Sequence, residues 1–271
     1  MLIGGTGFLG SFVAERLVSR QLSVLVRDTS DTSVLPRDAD LRHGNLEDEQ
    51  LPLQDVSSVV YCASMGFGHI PHVVAQLEAA GVQRAVFLST TAIFTTLPST
   101  TREVRLQAES AVQASRLDWT IVRPTMIYGT ARDRNISRLL RYLERWPVFP
   151  LCGNALWQPI YVADLADAVV SALEAPATVG KAYNLAGAYP IRFDELVRTA
   201  ARTIVRQVHL VRVPLFVGVM AARLTRVVTP EQVRRLAEDK AFNYSAAAHD
   251  FGFHPRSFAE GVRLQARSMR L

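Results

Sequence analysis

A run of closely spaced glycines, Gly4-Gly5-Thr6-Gly7-Phe8-Leu9-Gly10, stands where an apolar strand stub, Met1 to Ile3, gives way to a segment with helical spacing. Backbone that turns tightly and leads into the unpaired N–H groups and positive dipole end of a helix is a site for anions. With a strand before it and a helix after it, the pattern fits the pyrophosphate of a dinucleotide. Gly4, Gly7 and Gly10 would then serve the turn, the close ligand approach and the helix–strand packing. No Gly-Lys-Ser/Thr follows, which excludes a nucleoside-triphosphate loop. Taken alone, these residues also fit a plain Gly-rich turn of another α/β protein.

Other residues could add chemistry to such a site. Arg27 follows the second apolar run, where a dinucleotide fold selects its cofactor: a carboxylate bonds the ribose 2′-hydroxyl, whereas an arginine pairs with a 2′-phosphate. Arg27 therefore points to NADP(H) over NAD(H). The alternative makes Arg27 the first polar residue after a buried strand and gives the ribose to Asp28. The loop Ala63-Ser64-Met65-Gly66-Phe67-Gly68-His69 comes straight after an apolar run, hence at the carboxyl edge where α/β sheets bind ligands. Phe67 could cover a nicotinamide or sugar face, and His69 could move a proton, since histidine titrates near neutrality. Capping of the following helix is an equal alternative for His69. Ser89 and Thr91 are expected near the nicotinamide, where Thr91 could bond a substrate oxygen, or both could tie strand to loop. Tyr128 is a further candidate acid, with a structural or substrate-lining role as the alternative. Arg132 and Arg134 could clamp a diphosphate or carboxylate, while Arg134, Arg138, Arg141 and Arg145 recur at helical spacing and read as a solvated face. Asp164 reads as the cap of a helix N-terminus.

Elements must position these groups. Leu22 to Val26, Val56 to Cys62, Ala85 to Ser89 and Thr120 to Val122 read as buried strands, alternating with helical stretches of which Gln76–Ala80 and Arg102–Ser115 are the clearest. That alternation specifies an α/β fold: a doubly wound parallel sheet with helices on both faces. Pro124, Pro147, Pro150 and Pro159 mark the region where a second lobe starts. The 271 residues, 49% apolar and 20% charged, exclude disordered and fibrous classes. The net charge of +5 comes almost wholly from arginine, since Lys181 and Lys240 are the two lysines, and no basic block suggests nucleic-acid binding. Cys62 and Cys152 lack metal-ligand or disulfide-framework spacing, so no metal and a cytoplasmic location are expected. The apolar run Pro214 to Ala222, bounded by Arg212 and Arg223, is too short to span a bilayer; it reads as a buried helix, with contact to a membrane surface as the alternative.

Together the motifs resemble the short-chain dehydrogenase/reductase superfamily, in its extended and atypical branch of nucleotide-sugar epimerase and dehydratase relatives. The resemblance rests on Gly4/Gly7/Gly10, Val26-Arg27-Asp28, Phe87-Leu88-Ser89-Thr90-Thr91, Arg123-Pro124-Thr125-Met126-Ile127-Tyr128-Gly129 and Tyr161-Val162-Ala163-Asp164-Leu165-Ala166. Tyr183-Asn184-Leu185-Ala186-Gly187, followed by a helix near Phe193, extends it. It implies a Rossmann core over 1–125, rejoined by 160–188, and a smaller substrate lobe over 126–159 and 189–271. It also implies cofactor contacts from Thr6, Phe8, Leu9, Asn45, Leu46, Ala63, Ser89, Arg105 and Pro124, Asn45 standing where relatives carry an aspartate for the adenine amino group.

One part of the family pattern is absent. Relatives pair a tyrosine with a lysine four residues later, the ammonium lowering the phenol's pKa. Here Thr101 and Arg105 take those positions, counted back from Glu109, and a threonine hydroxyl is far too weak an acid to replace a phenol. The expected function is NAD(P)-dependent hydride transfer at a carbinol or ketone carbon, with a small molecule such as a nucleotide sugar as substrate and a homodimer allowed. A catalytically silent NADP(H)-binding sensor or assembly protein is the alternative, and a reductase of lipids or quinones a third.

Overall fold

A computed structural model describes residues 1–225 and 230–271. In chain order the elements are β1 (Leu2–Ile3), α1 (Phe8–Leu17), β2 (Ser23–Val26), β3 (Asp40–His43), β4 (Ser58–Tyr61), α2 (Ile70–Ala79), β5 (Arg84–Leu88), α3 (Thr100–Gln113) and β6 (Asp118–Pro124). There follow β7 (Ile127–Tyr128), α4 (Ile136–Arg145), β8 (Val148–Leu151), β9 (Leu156–Trp157), β10 (Ile160–Tyr161), α5 (Val162–Glu174) and β11 (Lys181–Leu185). The chain ends with β12 (Ile191–Arg192), α6 (Phe193–Thr203), β13 (His209–Arg212), α7 (Leu215–Thr225), α8 (Pro230–Arg234), α9 (Ser245–Phe251) and α10 (Phe258–Ser268).

Seven strands form one parallel sheet in the order β11-β6-β5-β4-β1-β2-β3, the register running from Leu2 opposite both Val24 and Val60. Its central strands read as unbroken apolar runs because both faces are covered. One face carries α2 and α3 over Ile3, Tyr61, Phe87 and Ile121, all buried. α5 packs with α1, held by Arg16 through the Ala163 carbonyl at 3.2 Å and the Asp167 carboxylate. β3 has no counterpart among the expected strands: its Asp-Leu-Arg-His sequence is largely exposed at the sheet edge, where no apolar run is needed.

Two compact units divide the chain. The first comprises Met1–Pro124, Val162–Leu185 and Tyr244–His254, and the second Thr125–Tyr161, Ala186–Asn243 and Pro255–Leu271. Residues 244–254, expected in the smaller lobe, pack instead on the first unit. Asp250 of α9 accepts from Lys181 Nζ at 2.8 Å and Tyr183 Oη at 2.6 Å on edge strand β11, and Phe251 stacks edge-on against Tyr183. The second unit builds its core from α4, α6 and α10, with Leu140, Leu143, Leu196, Val197 and Val262 fully or almost fully buried. The arginines of α4 face solvent while Ile136, Ser137, Leu140 and Leu143 face inward. Within the apolar run Pro214 to Ala222, the side chain of Ala221 lies outside the described residues. Among the described residues no helix is long and apolar enough to cross a membrane.

Candidate functional site

The glycine loop lies where β1 passes into α1, and two of its residues show why glycine is required. Gly4 has φ +81, a conformation that side chains rarely adopt, and a Cβ there would meet Ala63 N at 2.6 Å. A Cβ on Gly10 would overlap the Gly4 carbonyl oxygen, so α1 reaches the strand only without one. Gly7 caps α1 in extended conformation with no side-chain cap, and no acidic residue occupies the first turn. The positive helix end is thereby left open toward an anion.

A cavity of about 390 Å³ opens beside this loop. Gly4 and Thr6 line it, with Arg27 and Ser30 after β2, Asn45 and Leu46 after β3, and Ala63, Phe67 and His69 after β4. These are carboxyl ends of strands flanking β1 in the sheet, the location expected of a nucleotide crevice. Arg27 is exposed, and its guanidinium has no partner among the described residues. Asp28, by contrast, is outside the cavity lining and bonded to His43 Nδ1 at 2.7 Å. Ser30, absent from the sequence reading, accepts from the Arg27 backbone N–H at 3.2 Å and adds a hydroxyl to the same wall. The Asn45 turn is fixed by its N–H bond to Asp48 Oδ2 at 2.6 Å. Glu47 also lines the cavity; like Ser30 it is an ordinary loop polar, and only the turn after each strand brings the two there.

At the mouth, Ser64 caps a short turn through Gly66 N at 3.2 Å, and Gly68 closes it with φ +86. This turn leaves Phe67 68% exposed over the cavity. His69 occupies the first cap position of α2 without capping it by its side chain; its Nε2 lies 3.7 Å from Glu47 Oε1. It therefore shares the cavity with the Asn45 loop. Arg105 Nη1 donates to Thr101 Oγ1 at 2.9 Å, and a Cβ on Gly66 would meet Arg105 Nε at 3.3 Å, so the guanidinium lies over that bare backbone.

The remaining hydroxyl candidates are tied to protein. Ser89, 7% exposed, donates to Glu109 Oε1 at 2.5 Å, and Glu109 also takes Arg123 Nη2 at 2.5 Å and Nε at 3.0 and 3.1 Å. This buried knot joins α3 to the ends of β5 and β6, and nothing in the local sequence signals it. Thr91 is 8% exposed and donates to the Pro124 carbonyl at 3.2 Å. Tyr128 is corrected as an acid candidate: it is fully buried in the second unit, packed against Gly261 and Phe258, with its hydroxyl 3.5 Å from the Phe258 carbonyl. Arg132 and Arg134 are exposed on a loop organised by buried Asp133. That carboxylate accepts from the Asn135 and Ser137 backbones at 2.9 and 3.1 Å and from Gln265. Asp164 is buried in the first turn of α5. Among the described residues no cluster could hold a metal ion.

Residues 4–140, just over half of the chain, match the family model described as NAD(P)H-binding. The chain belongs to that family. Relatives include the mitochondrial NADH dehydrogenase [ubiquinone] 1 alpha subcomplex subunit 9 of Arabidopsis thaliana, 26% identical over 213 residues, covering 69% of this chain and 53% of the relative. The chain thus spans about half the length of that relative. Among solved structures, UDP-glucose 4-epimerase of Thermotoga maritima with UDP-glucose superposes with TM-score 0.78 at 17% identity, covering 99% of this NAD(P)H-binding chain and 97% of the epimerase. UDP-glucose 4-epimerase of Thermus thermophilus in complex with NAD gives 0.76 at 19% identity over 99% and 98%. At such identities the match shows the fold alone, a Rossmann-like sheet of the epimerase/dehydratase kind.

Proposed function

We propose that this protein binds NADP(H) and holds it without the tyrosine–lysine proton relay of its dehydrogenase relatives, serving as a cofactor-dependent sensor or assembly component. The observation that carries the reading is a contrast within the first unit. Arg27 lines the cavity beside Ser30 with no partner for its guanidinium among the described residues, whereas Ser89, Thr91 and Thr101 all spend their hydroxyls on protein partners. The residues fit the cofactor: a floor without Cβ at Gly4 and Gly10, an uncapped helix end at Gly7, and an amide at Asn45 able to accept from adenine. NADP(H), when bound, would supply or accept a hydride. The chain's own residues bind the pyrophosphate, pair with the 2′-phosphate and cover the cavity mouth with Phe67. The name of the Arabidopsis relative, a subunit of a larger complex, supports the assembly role. Free Cys62 and Cys152 are consistent with a reducing compartment such as the cytoplasm.

Hydride transfer to a carbinol or ketone carbon, with a nucleotide sugar as substrate, is the second reading. It is favoured by Phe67 and the part-exposed His69 at the mouth of the cavity. Calorimetric titration with NADPH and NADH tests the cofactor assignment. A lost charge-assisted bond of about 1.5–3 kcal/mol corresponds to a loss of about tenfold to a hundredfold. Arg27→Ala should weaken NADPH by that factor and leave NADH nearly unchanged; equal losses refute the 2′-phosphate contact. Consumption of NADPH with any member of a panel of ketones and nucleotide sugars would replace the silent reading by the second.

A further inference from the structure

Segment 196–230 carries six arginines, one histidine and no aspartate or glutamate, the longest single-sign stretch of the chain. Within it α7 turns a defined face outward. Gly218 and Ala222, one turn apart, are buried, and a Cβ on Gly218 would meet Cys152 Sγ at 2.7 Å and Val233 Cγ1 at 3.2 Å. This close packing fixes the helix's rotation. Phe216, Val217 and Met220 therefore fall on the opposite side, exposed by 70%, 41% and 50%. Leu215 at the helix start and Val211 on β13 enlarge the apolar area. Arg212 before the helix and Arg223 on its outer side, both exposed, stand at its two ends.

We infer that this face of α7 docks on a membrane surface bearing anionic headgroups. Contiguous exposed apolar side chains on a helix mark an interaction surface. A short helix whose apolar face is bordered by cations lies in the bilayer interface, its side chains entering the acyl boundary and its cations meeting lipid phosphates. The charge decides between occupants. A second copy would bring a like-charged patch against this one, and an arginine-bordered helix that itself carries no acid complements a negative surface. The helix is too short to span, so the contact is peripheral and reversible.

The test is co-sedimentation of the full chain with vesicles of phosphatidylcholine alone or mixed with phosphatidylserine. Binding should require the anionic lipid and fall in high salt, since exposed charges are screened. Phe216→Glu should cut the bound fraction about tenfold by removing the largest apolar contact and adding repulsion. The double variant Arg212→Ser/Arg223→Ser should abolish the preference for anionic vesicles. Met220→Gln supplies a milder change should Phe216→Glu misfold, and unchanged NADPH affinity reports the fold of each variant. Absence of binding to anionic vesicles overturns the inference, as does binding that Phe216→Glu and Met220→Gln leave intact. Retention on immobilised polyglutamate without vesicle binding would overturn it in favour of an acidic protein partner.

Discussion

Glu109 offers the sharpest test of how α3 is held against the sheet. Its carboxylate, 4% exposed, meets both Arg123 and the Ser89 hydroxyl, and the Arg123 guanidinium also lies 5.5 Å over the Phe94 ring. Glu109→Gln keeps the volume but removes the charge and presents an amide N–H₂ toward a guanidinium that can only donate. Removing one partner of a buried ion pair costs about 3–5 kcal/mol when the other is fully desolvated. Arg123 keeps 16% side-chain exposure and recovers part of its hydration, which brings the expected loss to about 2–3 kcal/mol. For a chain of this length each kcal/mol moves the melting temperature by about 2–4 °C, so a drop of about 5–10 °C is expected in circular-dichroism melts. The double variant Glu109→Met/Arg123→Met should recover most of it, because apolar replacement of a whole buried pair is often neutral or stabilising. A drop under about 2 °C for Glu109→Gln, or a double variant showing the full sum of the single losses, would refute the knot as the tie between α3 and the sheet.

Gly10→Ala should weaken NADPH binding by at least about tenfold in the same titration, since its Cβ overlaps the Gly4 carbonyl oxygen and α1 must shift by way of a strained loop. Tyr61 is fully buried, and its hydroxyl has no partner among the described residues. Tyr61→Phe should therefore match or exceed the parent in urea denaturation, by up to about 2 kcal/mol. Bonds from Lys181, Tyr183 and His249 hold the Asp250 carboxyl well below the usual carboxylate range. Its folded pKa being depressed, the contribution is present above the unfolded value and fades as pH falls through and below about 4, so Asp250→Asn should flatten the acid limb of a pH–stability curve. Burial pushes the Lys240 ammonium, 3.8 Å over the Trp157 ring, down from 10.5 to about 8. Between those values the unfolded chain binds the extra proton, so stability should rise with pH across the window, and Lys240→Met should remove that rise.

What is legible in the sequence follows from the range over which each feature is determined. β2, β4, β5 and β6 announce themselves as apolar runs because interior parallel strands are buried on both faces, and the glycine loop does so because its geometry excludes side chains at fixed positions. The edge strand β3 needs no apolar pattern and carries none. The two-residue strands β7 and β10 exist only because they pair with each other, a tertiary event without local signature. The same limit applies to the site. Arg27 stands at a strand end that the motifs locate and Asn45 at a position that the family resemblance supplies, whereas the Ser89–Glu109–Arg123 knot ties together positions 20 and 14 residues apart in sequence. Tyr128 reads as a candidate acid because a tyrosine after a strand looks alike in sequence whether it lines a crevice or fills a core. α9 escapes assignment since its anchors, Lys181 and Tyr183, lie 69 and 67 residues before Asp250.

The return of Tyr244–His254 to the sheet has a consequence for how the molecule can be taken apart. The chain passes between its two units after Pro124, Tyr161, Leu185, Asn243 and His254, so neither unit is a contiguous stretch. No single truncation releases one of them, and neither can be exchanged as a cassette. A protease cut near residue 205 would yield two fragments, each carrying part of both cores: α9 would be on the far piece from the strand it covers, and α10 on the far piece from α4. Such fragments should stay together through gel filtration and part only in denaturant, making a nicked molecule outwardly indistinguishable from an intact one until it is unfolded.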